Sequence, residues 1–367
     1  MGEKITDLLV KGVEGEFLTE AEGLTLMQGA PMGALMAAAH RVRMRLHPGS
    51  EVTWIVDRNM NISNVCHAGC LFCNFSCSSG SERAFITGMD EYREKIRELF
   101  ALGGDQLLLQ GGLHPKLGLD FYTDLFRTLK GEFPQLKLHA LGPPEVAHLA
   151  KLEGLSFGEV LDTLLDSGLD SLPGAGAEIL SDRVRKQLSP GKCTTGEWLE
   201  VMHEAHRRGI ITSATMMFGH IETMEERMRH LVLLRDIQQQ RPTGAVGFIS
   251  FIPWPFQDQN TALAKQKKVF NSVSPIEYIR FIALSRLMLP NIPNLQPSWL
   301  TVGIPAAQVC LHGGGNDFGS VMIEEHVVSS AGATSRADSR MLTMAIREAG
   351  FIPVQRNQLF ERVKQEL

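Results

Sequence analysis

From residue 50 onward the chain repeats one rhythm: a short apolar run, a loop carrying Gly or Pro, then a segment whose apolar residues recur every three or four positions. Apolar runs of this length fit strands buried on both faces, the longer period fits amphipathic helices, and their alternation builds a parallel sheet. The pattern predicts strands at Val52–Val56, Gln106–Gln110, Leu136–Leu141, Ser171–Pro173, Thr212–Phe218, Val246–Ile252, Asn294–Trp299 and Phe318–Ile323. Helices are expected at Tyr92–Leu102, Phe121–Phe133, Phe157–Ser167, Thr195–Gly209, Met224–Gln240 and Ile276–Leu289. Gly103-Gly104, Gly168 and Gly209 lie just ahead of strands, where a helix has to end and the chain turn back. Eight such units favour an α/β fold of the (βα)8 TIM-like barrel type, complete or nearly so, over an open doubly wound sheet. Residues 1–50 read differently: amphipathic from Ile5 to Val13, a Glu-rich turn opened by Thr19, then an Ala- and Met-rich stretch from Ala30 to Arg45. They are expected to form an N-terminal helical extension to a barrel spanning 51–367.

Composition narrows the partners more than the fold. With 36 basic against 41 acidic residues the net charge is −5, which gives no electrostatic footprint for nucleic acid or an anionic membrane. Met1–Thr6 lacks the basic flank and apolar core of a secretory signal, although it fits the loose M-G-x-x-x-[ST] acylation pattern. No apolar run approaches the roughly 18 residues of a membrane helix. A soluble cytoplasmic protein is the expectation.

Four of the six cysteines, Cys66, Cys70, Cys73 and Cys77, fall within twelve positions, too few for a disulfide scaffold and clustered as metal ligands are. Cys66, Cys70 and Cys73 have C-x3-C-x2-C spacing. Three thiolates are one fewer than the irons of a cubane cluster, which leaves one iron for a non-protein ligand. With Cys77 as a fourth ligand, the same segment fits a structural zinc site or a fully ligated electron-transfer cluster. Cys193 and Cys310 stand alone and read as small buried hydrophobes. His203-Glu-Ala-His206 lacks H-E-x-x-H spacing and reads as a surface helix, and Gly313-Gly-Gly lacks the spacing of a dinucleotide fingerprint.

Chemistry in such barrels lies at the C-terminal ends of the strands. The polar or Gly-rich strings expected on that rim are Gln110–Pro115, His139–Glu145, Pro173–Glu178, Gly219–Glu222, Pro253–Gln257 and Gly313–Asp317.

Cys66, Cys70, Phe72 and Cys73 together resemble the C-x3-C-x-aromatic-C signature of the radical S-adenosylmethionine (SAM) enzymes. The resemblance implies a [4Fe–4S] cluster held by the three cysteines and SAM chelated to the open iron. Reductive cleavage of SAM then gives a 5′-deoxyadenosyl radical that the protein binds, orients and shields. Gly111-Gly112 is similar to the family's Gly-Gly-Glu segment at the methionine amino group, with Leu113 in place of the acid. Glu178, and Arg183 or Arg185, resemble positions contacting the ribose hydroxyls and the methionine carboxylate; Gly219–Glu222 corresponds to a segment near adenine. Cys77 stands where many relatives carry other residues.

Over residues 50–357, strings such as Gln110-Gly-Gly-Leu-His-Pro115, Asp170-Ser-Leu-Pro-Gly174, Ala214-Thr-Met-Met-Phe-Gly-His220 and Phe251-Ile-Pro-Trp-Pro-Phe256 resemble the cyclic dehypoxanthinyl futalosine synthases of the futalosine route to menaquinone. Aminofutalosine synthase and the two halves of deazaflavin (FO) synthase share the motif and barrel. What this resemblance implies is a small-molecule substrate, dehypoxanthine futalosine, whose ribose loses a hydrogen atom to the deoxyadenosyl radical and then closes on the benzoate ring. An electron donor such as flavodoxin or ferredoxin is also implied. Arg58, His114, His139 and Glu325 are the rim residues expected to meet substrate, and Asp317 or Glu324 the candidate base for the ring proton.

Overall fold

The computed structural model describes residues 2–323, 331–332 and 337–363. Among these described residues ten strands follow in chain order: β1 (Glu51–Ile55), β2 (Asp57–Asn61), β3 (Gln106–Gln110), β4 (Lys137–Ala140), β5 (Ser171–Leu172), β6 (Ile211–Phe218), β7 (Phe248–Pro255), β8 (Asn294–Leu295), β9 (Asp317–Ser320) and β10 (Ile352–Gln355). Strands β2 to β8 form one parallel sheet in sequential order, and β10, β1 and β9 a second. Only Val56 separates β1 from β2, so the two act as one long stave shared by both sheets. Asn316 N donates to Leu295 O at 3.1 Å and Asn59 N to Ile323 O at 3.1 Å, which carries the wall from β8 through β9 back to β2. The result is the TIM-like α/β barrel that the strand–helix rhythm predicts. Strand β10, which was not expected, pairs with the lower part of β1, from Glu51–Ile352 to Trp54–Gln355.

The largest departure from expectation is β2. Its sequence, Asp57-Arg-Asn-Met-Asn61, carries no apolar run and falls outside the strands expected above, yet it pairs residue for residue with β3. Alternation explains this: Asp57, Asn59 and Asn61 turn to the barrel interior, while Arg58 turns to the helical layer and bonds Glu98 at 2.7 Å. A helix at Pro143–Glu153 was also missed. Its paired prolines suggest a loop, but Pro is tolerated in a first helical turn, where N–H groups have no intrahelical acceptor.

Residues 2–46 form three helices, Gly2–Glu14, Glu20–Gly29 and Met32–Leu46, and Thr19 with Glu22 closes a reciprocal cap at the second. Leu35, Ala38 and Val42 are fully buried and share one core with the helix Pro275–Met288. Gly23 lets the second helix approach the same helix closely, since a Cβ there would meet the Met288 sulfur at 2.8 Å. Among the described residues, no helix is long and apolar enough to cross a membrane.

Candidate active site: the cysteine loop and the barrel cavity

The interior of the barrel holds a cavity of about 400 Å³, lined at one end by Cys66, Cys70, Phe72 and Cys73 and at the other by Arg356 and Phe360. The cysteine loop leaves β2 and is clamped at its base: Asn64 donates to Arg83 O at 2.7 Å and accepts from Phe85 N at 3.0 Å. Gly69, at φ +65°, makes the left-handed turn inside the C-x3-C interval. The loop then docks on the segment after β5 through Leu71 N to Leu188 O (2.8 Å) and Gly191 N to Ala68 O (2.9 Å). Cys77 is outside the cavity lining; its backbone bridges the loop, donating to Asn64 O and accepting from Cys66 N.

Gly111 and Gly112 line the cavity beside Cys66. The resemblance puts the methionine amino group beside these glycines, but the first obstacle to a side chain there is the protein itself. A Cβ on Gly112 would lie 2.3 Å from Val65 O and 2.7 Å from the Cys66 Cβ. The glycine is what lets the cysteine loop close onto β3. Gly112 N donates to Ser63 O, and Leu113 N to the Cys66 sulfur at 3.3 Å.

Glu178 is buried, lines the cavity, and adopts a left-handed φ of +43°, a conformation costly for any residue with a Cβ. Its Oε1 accepts a 2.7 Å bond from Lys192 Nζ, and that ammonium lies 5.2 Å from the Phe72 ring centroid. Burial alone would push the Glu178 carboxyl up, but the charge and hydrogen bond of Lys192 more than reverse this and hold it ionised. Burial likewise works against the Lys192 charge, and the charge and hydrogen bond of Glu178 outweigh it, so the ammonium is held protonated. Burial pushes the Cys70 thiol up to about 12 in the metal-free protein. Glu145, accepting from Gly142 N at 3.0 Å, completes this end, its carboxyl pushed up by burial.

The two arginines suggested by the sequence face elsewhere. Arg183 is half-exposed and held by Glu226 and Ile221 O, while Arg185 clamps the carbonyls of Gly176, Ala177 and Cys193 and so braces the loop carrying Glu178. Lys192, which sequence reasoning left unassigned, is the only cation among the described residues lining the cysteine end. Gly219–Glu222 forms a bonded turn outside the cavity lining: Glu222 accepts from Gly219 N, His220 N and Arg227, and His220 Nδ1 accepts from Ile221 N. That acceptor role, with burial, keeps His220 neutral despite its 3.0 Å approach to Glu222.

Of the expected substrate contacts, His139 lines the cavity; its Nδ1 bonds the Ser171 hydroxyl, and burial next to the Arg356 charge lowers its pKa to about 3. His114 lies outside the lining, with Nδ1 accepting from Lys116 N. Arg58 points away, as described. Asp317 is the first residue of β9, at the end of the strand opposite the rim, fully buried in a two-point ion pair with Arg356 (2.9 and 2.8 Å) and a bond from Thr53. The rim assignment of Gly313–Asp317 therefore inverts the strand's polarity. Glu324 and Glu325 lie outside the described residues. His206, expected on a helix surface, is buried against Phe248 and bonds Thr212 at 2.8 Å.

The donor set fits an iron–sulfur cluster with a bound amino acid: three cysteines face one cavity, with a buried ammonium and a buried carboxylate beside them. Comparison with known proteins agrees. Residues 60–234 match the model of the radical SAM superfamily, and residues 245–366 that of the CofH/MqnC C-terminal region. The chain is 38% identical to the cyclic dehypoxanthine futalosine synthase of Halalkalibacterium halodurans, over 98% of this chain and 95% of that one. It is also 37% identical to the 5-amino-6-(D-ribitylamino)uracil–L-tyrosine 4-hydroxyphenyl transferase 1 of Methanosarcina acetivorans, over 99% and 96%. Among solved structures, methylornithine synthase superposes with a TM-score of 0.71 at 19% identity, covering 94% of this chain and 97% of that one.

Proposed function

Because the chain belongs to the radical SAM superfamily, and is an enzyme of radical chemistry, we propose that it converts dehypoxanthine futalosine to its cyclic form in menaquinone biosynthesis. The observation that carries the reading is near-full-length similarity to a cyclase of that name, joined to a cavity that runs from the cysteine loop to the barrel floor. Cys66, Cys70 and Cys73 would hold a [4Fe–4S] cluster, and Lys192 would hold the methionine carboxylate with Glu178 on the ribose diol. When bound, the cluster and SAM supply the radical that removes one hydrogen atom from the substrate ribose, the electron coming from a donor such as flavodoxin or ferredoxin.

The chain's own work is then positional. The barrel keeps ribose and benzoate ring in contact and excludes water, which converts ring closure into a proximity problem solved in advance. After closure one proton leaves the adduct to a base of the protein and one electron to a one-electron acceptor of the iron–sulfur or flavin class, such as the oxidised form of the same donor. With Asp317 bound to Arg356, the proton acceptor is His139, neutral and fixed by Ser171. A weak base suffices, because rearomatisation drives the transfer.

A second reading, transfer of the tyrosine hydroxyphenyl group to a ribitylaminouracil, draws on the Methanosarcina relative. Anaerobically reconstituted, reduced enzyme incubated separately with dehypoxanthine futalosine, the aminofutalosine synthase substrate, and tyrosine plus 5-amino-6-(D-ribitylamino)uracil separates the cases. Spirocyclic product from the first alone is expected. Turnover of either other set without the first refutes the reading.

A further inference from the structure

The inward face of the β2–β3 wall is unlike an ordinary barrel interior, which is filled by bulky branched apolar side chains. Here β2 presents Asp57, Asn59 and Asn61, and β3 presents Gln106 and Gln110. At the floor the groups satisfy one another: Gln106 donates to Asp57 at 3.1 Å and the Ser320 hydroxyl bonds its other oxygen. Higher up they do not. The side-chain amides of Asn59, Asn61 and Gln110 line the cavity, Asn61 and Gln110 directly paired across the strands, and none bonds another described residue. Each primary amide brings two donors and an acceptor oxygen, and a ligand that displaces water from the cavity has to replace those hydrogen bonds or lose affinity. Three of them on one wall of the cavity, half-buried and facing its interior, are therefore arranged for a ligand rich in groups that both donate and accept.

The opposite wall differs. In the order β2 to β9, β7 is diametrically across from β3, and it contributes Ile252 and Trp254, with Trp299 following β8. The cavity thus has an amide face and an aromatic face. Charge is neutralised within it: of the lining cations, Lys192 is paired with Glu178 and Arg356 with Asp317. A phosphate on the polar portion of a ligand would meet no free cation among the described lining residues.

We propose that Asn59, Asn61 and Gln110 form the subsite that binds the hydroxyl groups of an unphosphorylated sugar or polyol, while Trp254 and Ile252 take the aryl end of the same substrate. Hydroxyl groups match amides in both directions of hydrogen bonding, and the two faces hold the sugar carbon and the ring toward each other. The assignment rests on the proposed function for the identity of the sugar, but its chemistry applies equally to a ribityl chain.

The test is equilibrium binding to SAM-loaded, cluster-reconstituted enzyme under anaerobic conditions, with dehypoxanthine futalosine and 5-amino-6-(D-ribitylamino)uracil as probes. For the probe that binds the wild type, Asn61→Leu and Gln110→Met should each weaken affinity about tenfold, with iron content and SAM affinity at wild-type values. A ligand-side arm needs no variant: the 2′,3′-dideoxy analogue of dehypoxanthine futalosine, or the uracil carrying a deoxygenated side chain, should bind wild type at least tenfold more weakly than its parent. Unchanged affinity in both folded variants overturns the proposal, as does equal binding of parent and deoxy analogue. If only the ribitylaminouracil binds and the variants weaken it, the cyclase reading fails and the subsite stands. If dehypoxanthine futalosine is cyclised but its affinity ignores both amides, the subsite fails and the cyclase reading stands.

Discussion

Replacing Lys192 by Met tests the electrostatic centre of the site. Nζ and Glu178 Oε1 are 2.7 Å apart, and the two side chains are 16% and 6% exposed. At an effective dielectric of about 20, attraction at that separation is roughly 6 kcal/mol, against several kcal/mol of desolvation per ion, so the intact pair contributes little net stability. Removing one partner is different, because it leaves an uncompensated buried carboxylate, a loss of about 3–5 kcal/mol. Lys192→Met should therefore lower unfolding stability by about that amount at pH 8, while the double variant Lys192→Met/Glu178→Gln recovers most of it. The sign with pH is fixed. Without Lys192, burial raises the folded-state pKa of Glu178 above its unfolded value, so the deficit is full above the raised value and falls away as pH drops from there to the unfolded value.

Ligand binding should not recover with stability. A charge-assisted bond to the methionine carboxylate is worth about 1.5–3 kcal/mol, so SAM affinity of the reconstituted single and double variants should fall roughly 10- to 150-fold at normal iron content. Chemical denaturation and anaerobic calorimetry read the two effects separately. Wild-type SAM affinity in a fully iron-loaded Lys192→Met enzyme would refute the role given to this ammonium, and equal instability of single and double variants would refute the ion-pair arithmetic.

Three further outcomes follow from the same geometry. Gly112→Ala forces a Cβ against Val65 O and Cys66 and should cost about 1–3 kcal/mol and lower iron incorporation; full loading at wild-type stability would contradict it. Cys77→Ala keeps the backbone bridge and should retain four irons and reductive SAM cleavage, whereas loss of iron would restore a four-cysteine site. His139, His206 and His230 are lowered to about 3, chiefly by burial, so between pH 6.5 and 3 the unfolded chain binds more protons and stability falls as pH falls. Each contributes up to about 1.4 kcal/mol per pH unit; His230→Gln should flatten the dependence of the urea midpoint on pH, and an unchanged slope would exclude that residue from the effect.

The features legible in the sequence are those whose information is local. C-x3-C-x2-C spacing fixes which thiolates share a loop, and apolar runs separated by helical periods specify a barrel whatever the loops do. What escaped depends on polarity and on long-range docking. Asp317 was assigned to the rim because a Gly-rich string precedes it, but that string leads into β9 instead of leaving it, and the carboxylate faces Arg356 at the floor. Lys192 follows a short helix, at no strand end, and reaches the cavity because Gly191 lets the chain close on Ala68, where a Cβ would lie 2.7 Å from the Ala68 Cα.

The absence of β2 from the expected strands has a more general reason. Hydrophobic patterning identifies a strand by what it buries in a core, and that logic fails where the interior is a ligand cavity. Asp57, Asn59 and Asn61 recur with period two, the strand's own repeat, but in polar residues, so the signal was present with its sign reversed. A polar period-two run that pairs within a barrel therefore marks the wall that meets substrate. That wall lies directly below the cysteine loop in the chain, so one segment of seventeen residues, Asp57 to Cys73, supplies both the surface that would hold the sugar and the ligands for the cluster at which the radical that attacks it would be generated. Any shift of β2 in register would displace both together, and it would turn every inward amide toward the helices.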